Sequence, residues 1–115
     1  MDVQGLQIGN WVTKGKRKPT FEQVKDISLS HREKSYNINF CSQKEFSPIP
    51  VTEDWLNKLG FNKDAITGDY SLNGYTVFIK ETACYLAETI TDYKIAIFLY
   101  VHELQNLLYV LTKKI

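Results

Sequence analysis

The sequence predicts an α+β fold, and three stretches carry that reading. Tyr36, Ile38 and Phe40 alternate with Asn37 and Asn39, the period of a strand with one apolar face. Asn73-Gly74 lies between two further strand-like segments, where a type I′ hairpin turn belongs. Near the end, apolar residues recur at Ile97, Val101, Leu104, Leu108, Leu111 and Ile115, and steps of three and four line one face of a helix.

In chain order, 8–12 (IGNWV) reads as a short strand, with Gly9 allowing close backbone approach. Residues 14–19 (KGKRKP) form a polar turn. A second strand is expected over 24–29, with Ile27 and Leu29 on one face, and a charged turn over 31–34 leads into the strand of Tyr36, Ile38 and Phe40. Together these suggest an N-terminal three-stranded meander or small barrel. Such a sheet is marginal alone and must pack on something else.

Residues 47–50 (SPIP) are extended, because the residue before a proline is pushed out of the helical region. A short capped helix over 53–59 follows. Thr52 is its N-cap, Glu53 and Asp54 favour its first turn, and Val51 and Leu56 occupy the staple positions. Gly60 and Phe61 stand where a Schellman end places its glycine and its apolar contact.

A second meander is expected over 69–72, 75–80, 83–88 and 93–98. Its last strand runs almost directly into an amphipathic helix near 100–113, expected to fold back across its own sheet with Leu104 and Leu108 in the core. Leu107 and Val110 widen the apolar stripe, while His102, Gln105, Asn106 and Lys113 gather on the other side. Lys113 and Lys114 stand where the negative end of the helix dipole favours cations.

At 115 residues the chain is read as a single domain, 1–115, with the composition of a globular protein. Its net charge of +1 is unevenly spread. Residues 1–44 hold eight Lys/Arg against four Asp/Glu, whereas 45–115 hold six against nine. Cys41 and Cys84 are too few for a disulfide framework and read as buried free thiols. The first ten residues lack the basic and apolar regions of a signal peptide, and the longest apolar run, 95–100, is too short to span a bilayer. A cytosolic protein without membrane contact is therefore expected.

Four groups of residues invite a functional reading. His102-Glu103 begins a zinc-protease motif, but Asn106 stands where the second histidine belongs. His102, Gln105, Asn106 and Tyr109 form a polar patch at helical spacing, either a recognition face or an ordinary solvated one. Lys14, Lys16, Arg17 and Lys18 cluster beside Trp11 and near Phe21, a loop able to contact phosphates or simply a solvated hairpin tip. Seven tyrosines and six phenylalanines exceed what a core of this size needs, and tyrosine suits interfaces. No nucleophile elbow, glycine-rich phosphate loop or Cys/His ligand spacing is present, so neither an enzyme nor a metal or other cofactor is expected.

Three segments together, 8–12 (IGNWV), 49–61 (IPVTEDWLNKLGF) and 100–112 (YVHELQNLLYVLT), resemble a family of small uncharacterised proteins of gut-bacterial genomes, prophages and tailed phages. Its members carry IGNWV-like, IPLTEEWLLKFGF-like and YVHELQNLYFALTG-like motifs in this order. Lys113 and Lys114 depart from the glycine and acidic residues that usually follow the Leu-Thr pair.

Absent catalytic constellations and abundant tyrosine point to a non-catalytic binding protein; the resemblance implies that it is of phage or mobile-element origin, acting in the host cytosol as a counter-defence factor. The resemblance implies a host protein or a small phosphorylated, nucleotide-type ligand as partner, while the basic loop and the helix patch themselves offer the candidate contacts, Trp11, Lys14, Lys16, Arg17, Lys18, His102, Gln105, Asn106 and Tyr109. The alternative is a nucleic-acid-binding accessory protein using the basic hairpin at 14–18, a less favoured reading, and a hydrolase built on carboxylates that folding brings together ranks third. A homo-oligomer is compatible with either.

Overall fold

Short strands account for most of the chain's regular structure. The computed structural model describes residues 1–32 and 34–112. The fold is α+β, with mostly antiparallel strands in three sheets. It forms two compact units, one comprising residues 1–49 and the chain from Tyr100 onward, the other Pro50–Leu99.

The first unit contains β1 (Trp11–Lys14), β2 (Thr20–Gln23), β3 (Ile27–Ser30), β4 (Ser35–Ile38), β5 (Cys41–Ser42), a 3-10 turn (Gln43–Glu45) and β6 (Phe46–Ser47). They pair as two three-stranded sheets, in the orders β2-β1-β6 and β3-β4-β5. The expected single meander is thus replaced by two sheets, of which only β3-β4-β5 is a meander, and one side chain explains much of the difference. Asn39 Oδ1 accepts from the backbone N–H groups of Lys25 and Asp26, at 2.7 and 3.0 Å, and its Nδ2 donates to the Gln23 carbonyl at 2.9 Å. These contacts take backbone groups that a continuous strand over 24–29 would present to a neighbour.

Asn39 and Phe40 both have positive φ, 49° and 66°, so the chain reverses in the manner of a type I′ turn between β4 and β5. The strand expected to include Phe40 therefore ends at Ile38, and Phe40 is 83% exposed. Leu6, Val12, Val24, Ile38 and Phe46 form the unit's apolar core.

α2 (Val101–Thr112) completes this unit. Val101, Leu104 and Leu108 are buried as the spacing requires, but the helix packs on β1, from the far end of the chain. Ile97, counted in the stripe, belongs to a strand and is 67% exposed. Lys113, Lys114 and Ile115 lie outside the described residues.

The second unit contains α1 (Glu53–Lys58), β7 (Asn62–Lys63), β8 (Tyr70–Leu72), β9 (Tyr75–Ile79), β10 (Cys84–Glu88) and β11 (Lys94–Phe98). The five strands form one antiparallel meander in the order β11-β10-β9-β8-β7. Asn73 and Gly74 join β8 to β9 with φ of 51° and 86°, as a type I′ turn requires.

α1 is closed at both ends. Thr52 Oγ1 accepts from the Trp55 N–H at 3.3 Å, and Val51 and Leu56 of the staple are both buried. At the other end Phe61 N–H donates to the Leu56 carbonyl and Gly60 N–H to that of Asn57, the paired bonds of a Schellman motif, with Gly60 at φ 98°. A helix of six residues cannot persist on propensity alone, so its caps matter. Thr52→Ala should therefore cost about 1 kcal/mol. Gly60→Ala should cost about 1 kcal/mol as well, through the positive φ alone, since a Cβ there meets nothing closer than Leu72 Cδ1 at 3.9 Å. Urea midpoints of both variants check this, and wild-type values in either would contradict the corresponding cap.

Candidate functional site

The polar patch expected on the outer face of the last helix faces inward. Gln105 is 1% exposed; its Oε1 accepts from the Trp11 N–H at 2.8 Å and its Nε2 donates to the Gly9 carbonyl at 3.2 Å. Half-buried Asn106 accepts through Oδ1 from Asn10 Nδ2 at 2.9 Å and donates through Nδ2 to the Gly5 carbonyl. The reason lies in the spacing: Gln105 stands four residues after Val101 and three before Leu108, inside the buried stripe.

His102 is 9% exposed, stacked parallel to Tyr100 with ring centroids 6.0 Å apart. Its Nδ1 is buried with no hydrogen-bond partner among the described residues. Burial holds the His102 pKa below its ordinary value, partly offset by the neighbouring Glu103 carboxylate. Of the four patch residues, Tyr109 alone is exposed.

The basic cluster also divides. Lys16, Arg17 and Lys18 are exposed in the bend between β1 and β2. Lys14 turns away from them. Its Nζ donates to Cys41 Sγ at 3.1 Å and lies 5.8 Å from the centre of the Phe46 ring. The bond to Cys41 raises the Lys14 pKa. Both cysteines are free, but only Cys84 is buried, and burial pushes its thiol pKa up; Cys41 is half-buried. Trp11, half-buried on β1, is joined to the helix patch through its backbone N–H bond to Gln105. The nine candidate residues therefore do not make one site.

A different set does converge, on the five-stranded sheet. Asp69, Phe78, Lys80, Tyr85, Asp92 and Lys94 line an open cavity of about 380 Å³. The register makes it: Phe78 of β9 stands opposite Tyr85 of β10, so the two rings share one face of the sheet. Lys80 follows Phe78 by two residues, and its Nζ lies 5.9 Å from that ring's centre. A register shift at Leu86/Ala87 sets Ala87 opposite Lys94, whose Nζ lies 4.9 Å from the Tyr85 ring centre. Asp92, at φ 57° in the turn before β11, and Asp69, just ahead of β8, supply the carboxylates.

The cavity thus combines flat apolar surface, two ammonium donors and two carboxylate acceptors. Such a set can stack an aromatic group, neutralise an anion and accept from hydroxyl or amino groups. Among the described residues no group of three His, Cys, Asp or Glu side chains could hold a metal ion, and no helix is long and apolar enough to cross a membrane. The alternation of Phe78 and Lys80 was visible in the sequence, but their meeting with Tyr85 and Lys94 depends on strand order and register.

Comparison of the chain with family models, curated proteins and solved structures finds no match.

Two outcomes follow from the helix. Gln105→Ala should destabilise the protein by about 1–3 kcal/mol, because buried backbone groups lose their partner, and Gln105→Glu should cost more by burying a charge against the Gly9 carbonyl. Chemical denaturation measures both; changes within about 0.5 kcal/mol, as at ordinary surface sites, would contradict the clamp. For His102 the folded pKa lies below the unfolded value of about 6.5. The unfolded chain then binds more protons under acid conditions, so stability present above pH 6.5 should fall as the pH drops toward the folded pKa. Urea melts between pH 7.5 and 5 should show this decline, and His102→Phe should flatten it.

Proposed function

We propose that the chain is a non-catalytic binding protein that holds a small phosphorylated ligand of nucleotide type on the outer face of its five-stranded sheet. The observation that supports this reading is the convergence of Lys80 and Lys94 on the Phe78–Tyr85 pair, with Asp69 and Asp92 at the same cavity. A base would stack on the rings, phosphate oxygens would draw the two ammonium groups, and the carboxylates would accept from sugar hydroxyls or exocyclic amines. At about 380 Å³ the cavity lies in the range of small-ligand pockets, which favours such a ligand over a protein partner. Phage or mobile-element origin, and a counter-defence role by sequestering a signalling nucleotide, belong to the same proposal and rest on the resemblance carried by IGNWV, IPVTEDWLNKLGF and YVHELQNLLYVLT.

Titration calorimetry with adenosine and guanosine nucleotides tests the reading. Lys80→Ala and Lys94→Ala should each weaken binding about tenfold, the loss of one charge-assisted hydrogen bond. Affinity should fall as salt rises, and chromatography should recover the nucleotide unchanged. Absence of binding at millimolar nucleotide, or turnover of the bound ligand, would overturn it.

A further inference from the structure

The first unit presents a second surface, and its composition differs from that of the cavity. In the β1–β2 hairpin Trp11 stands opposite Gln23, and Thr13 opposite Phe21. Directly opposed residues of an antiparallel pair point to the same side, so Trp11, Thr13, Phe21 and Gln23 share one face. Val12, Lys14, Thr20 and Glu22 take the other, where Val12 is 0% exposed within the core. This alternation carries the hairpin's carboxylate, Glu22, away from the outer face. What remains outside is aromatic or neutral and polar.

Phe21 is 52% exposed, although the opposite face of its own strand pair carries the core contact. At the end of this face the bend between β1 and β2 exposes Lys16, Arg17 and Lys18. The bend, 15–19, contains no acidic residue. Stacking rings beside a cationic tip is the chemistry that recognises a single strand of nucleic acid, whose unpaired bases offer flat faces and whose backbone offers phosphates. A duplex hides its base faces and would use the cations alone.

From this arrangement we infer that the outer face of the β1–β2 hairpin is a binding platform for single-stranded nucleic acid, with Phe21 and Trp11 stacking bases and Lys16, Arg17 and Lys18 holding phosphates. Lys14 has no part in it, being turned to Cys41 on the inner side. The platform is independent of the nucleotide cavity and stands or falls separately from it.

Fluorescence anisotropy of a labelled oligothymidine of about fifteen nucleotides, titrated with the full chain at several salt concentrations, tests the inference. Three phosphate contacts on a single strand give a log–log salt slope of about −2. Replacing Lys16, Arg17 and Lys18 together by Ser should remove binding. Phe21→Ala should weaken it about tenfold, the loss of one stacked base, while leaving the slope near −2, because stacking releases no counterions. A duplex of equal length should bind more weakly than the single strand. Thermal melts confirm that each variant is folded, which the exposure of all four side chains leads us to expect. Wild-type affinity in folded Phe21→Ala, a slope retained by the triple variant, or no binding of the oligonucleotide at about 50 mM salt would overturn the inference.

Discussion

The first unit depends on two neighbouring amides of α2. Gln105 and Asn106 reach residues 5–11, some ninety-four to one hundred and one positions earlier, and make four hydrogen bonds there. That segment runs irregularly into β1, with positive φ at Gly5 and Gly9. Its backbone groups are not all served by strand pairing, and buried ones cannot be left without partners. The amides serve them, each offering a donor and an acceptor on one rigid plane. Gly9 N–H and the Asn10 carbonyl meanwhile pair with Val24, at 2.8 and 2.7 Å, so the same short segment also joins the β1–β2 hairpin to the rest of its unit.

This clamp changes the meaning of the most recognisable residues. IGNWV and YVHELQNLLYVLT are two of the segments that carry the resemblance, and in this chain Asn10, Trp11, Gln105 and Asn106 bond the one to the other. Folding accounts for these polar side chains without a ligand. The cavity of the five-stranded sheet lies outside these two segments, whereas the outer face of the β1–β2 hairpin shares Trp11 with the first of them.

Those two surfaces divide the chain's charge. The hairpin tip of Lys16, Arg17 and Lys18 belongs to the basic first third of the sequence. The cavity of the five-stranded sheet sets Lys80 and Lys94 against Asp69 and Asp92, so its formal charges cancel. Aromatic rings underlie both, and both arise where an antiparallel register brings two rings or two strands' outer residues to one side.

Local chemistry was legible in the sequence because it acts between near neighbours. Thr52, Gly60 and the Asn73-Gly74 pair specify their caps and turn through bonds spanning a few residues, and Val101, Leu104 and Leu108 specify the buried helix face through periodicity alone. Fold class follows from such signals.

Tertiary structure decided the rest. Asn39 interrupts one strand only because folding brings it to Lys25 and Asp26, and two consecutive positive-φ residues expose Phe40 despite its apolar alternation. Gln105 reads as a solvated residue by type, yet its position within the stripe buries it, where its partners lie at the other end of the chain. The meeting of Phe78, Lys80, Tyr85 and Lys94 depends on strand register and a local bulge. A slip of one residue would turn one strand's side chains to the opposite face, and no pattern confined to one strand records which register the neighbouring strand selects.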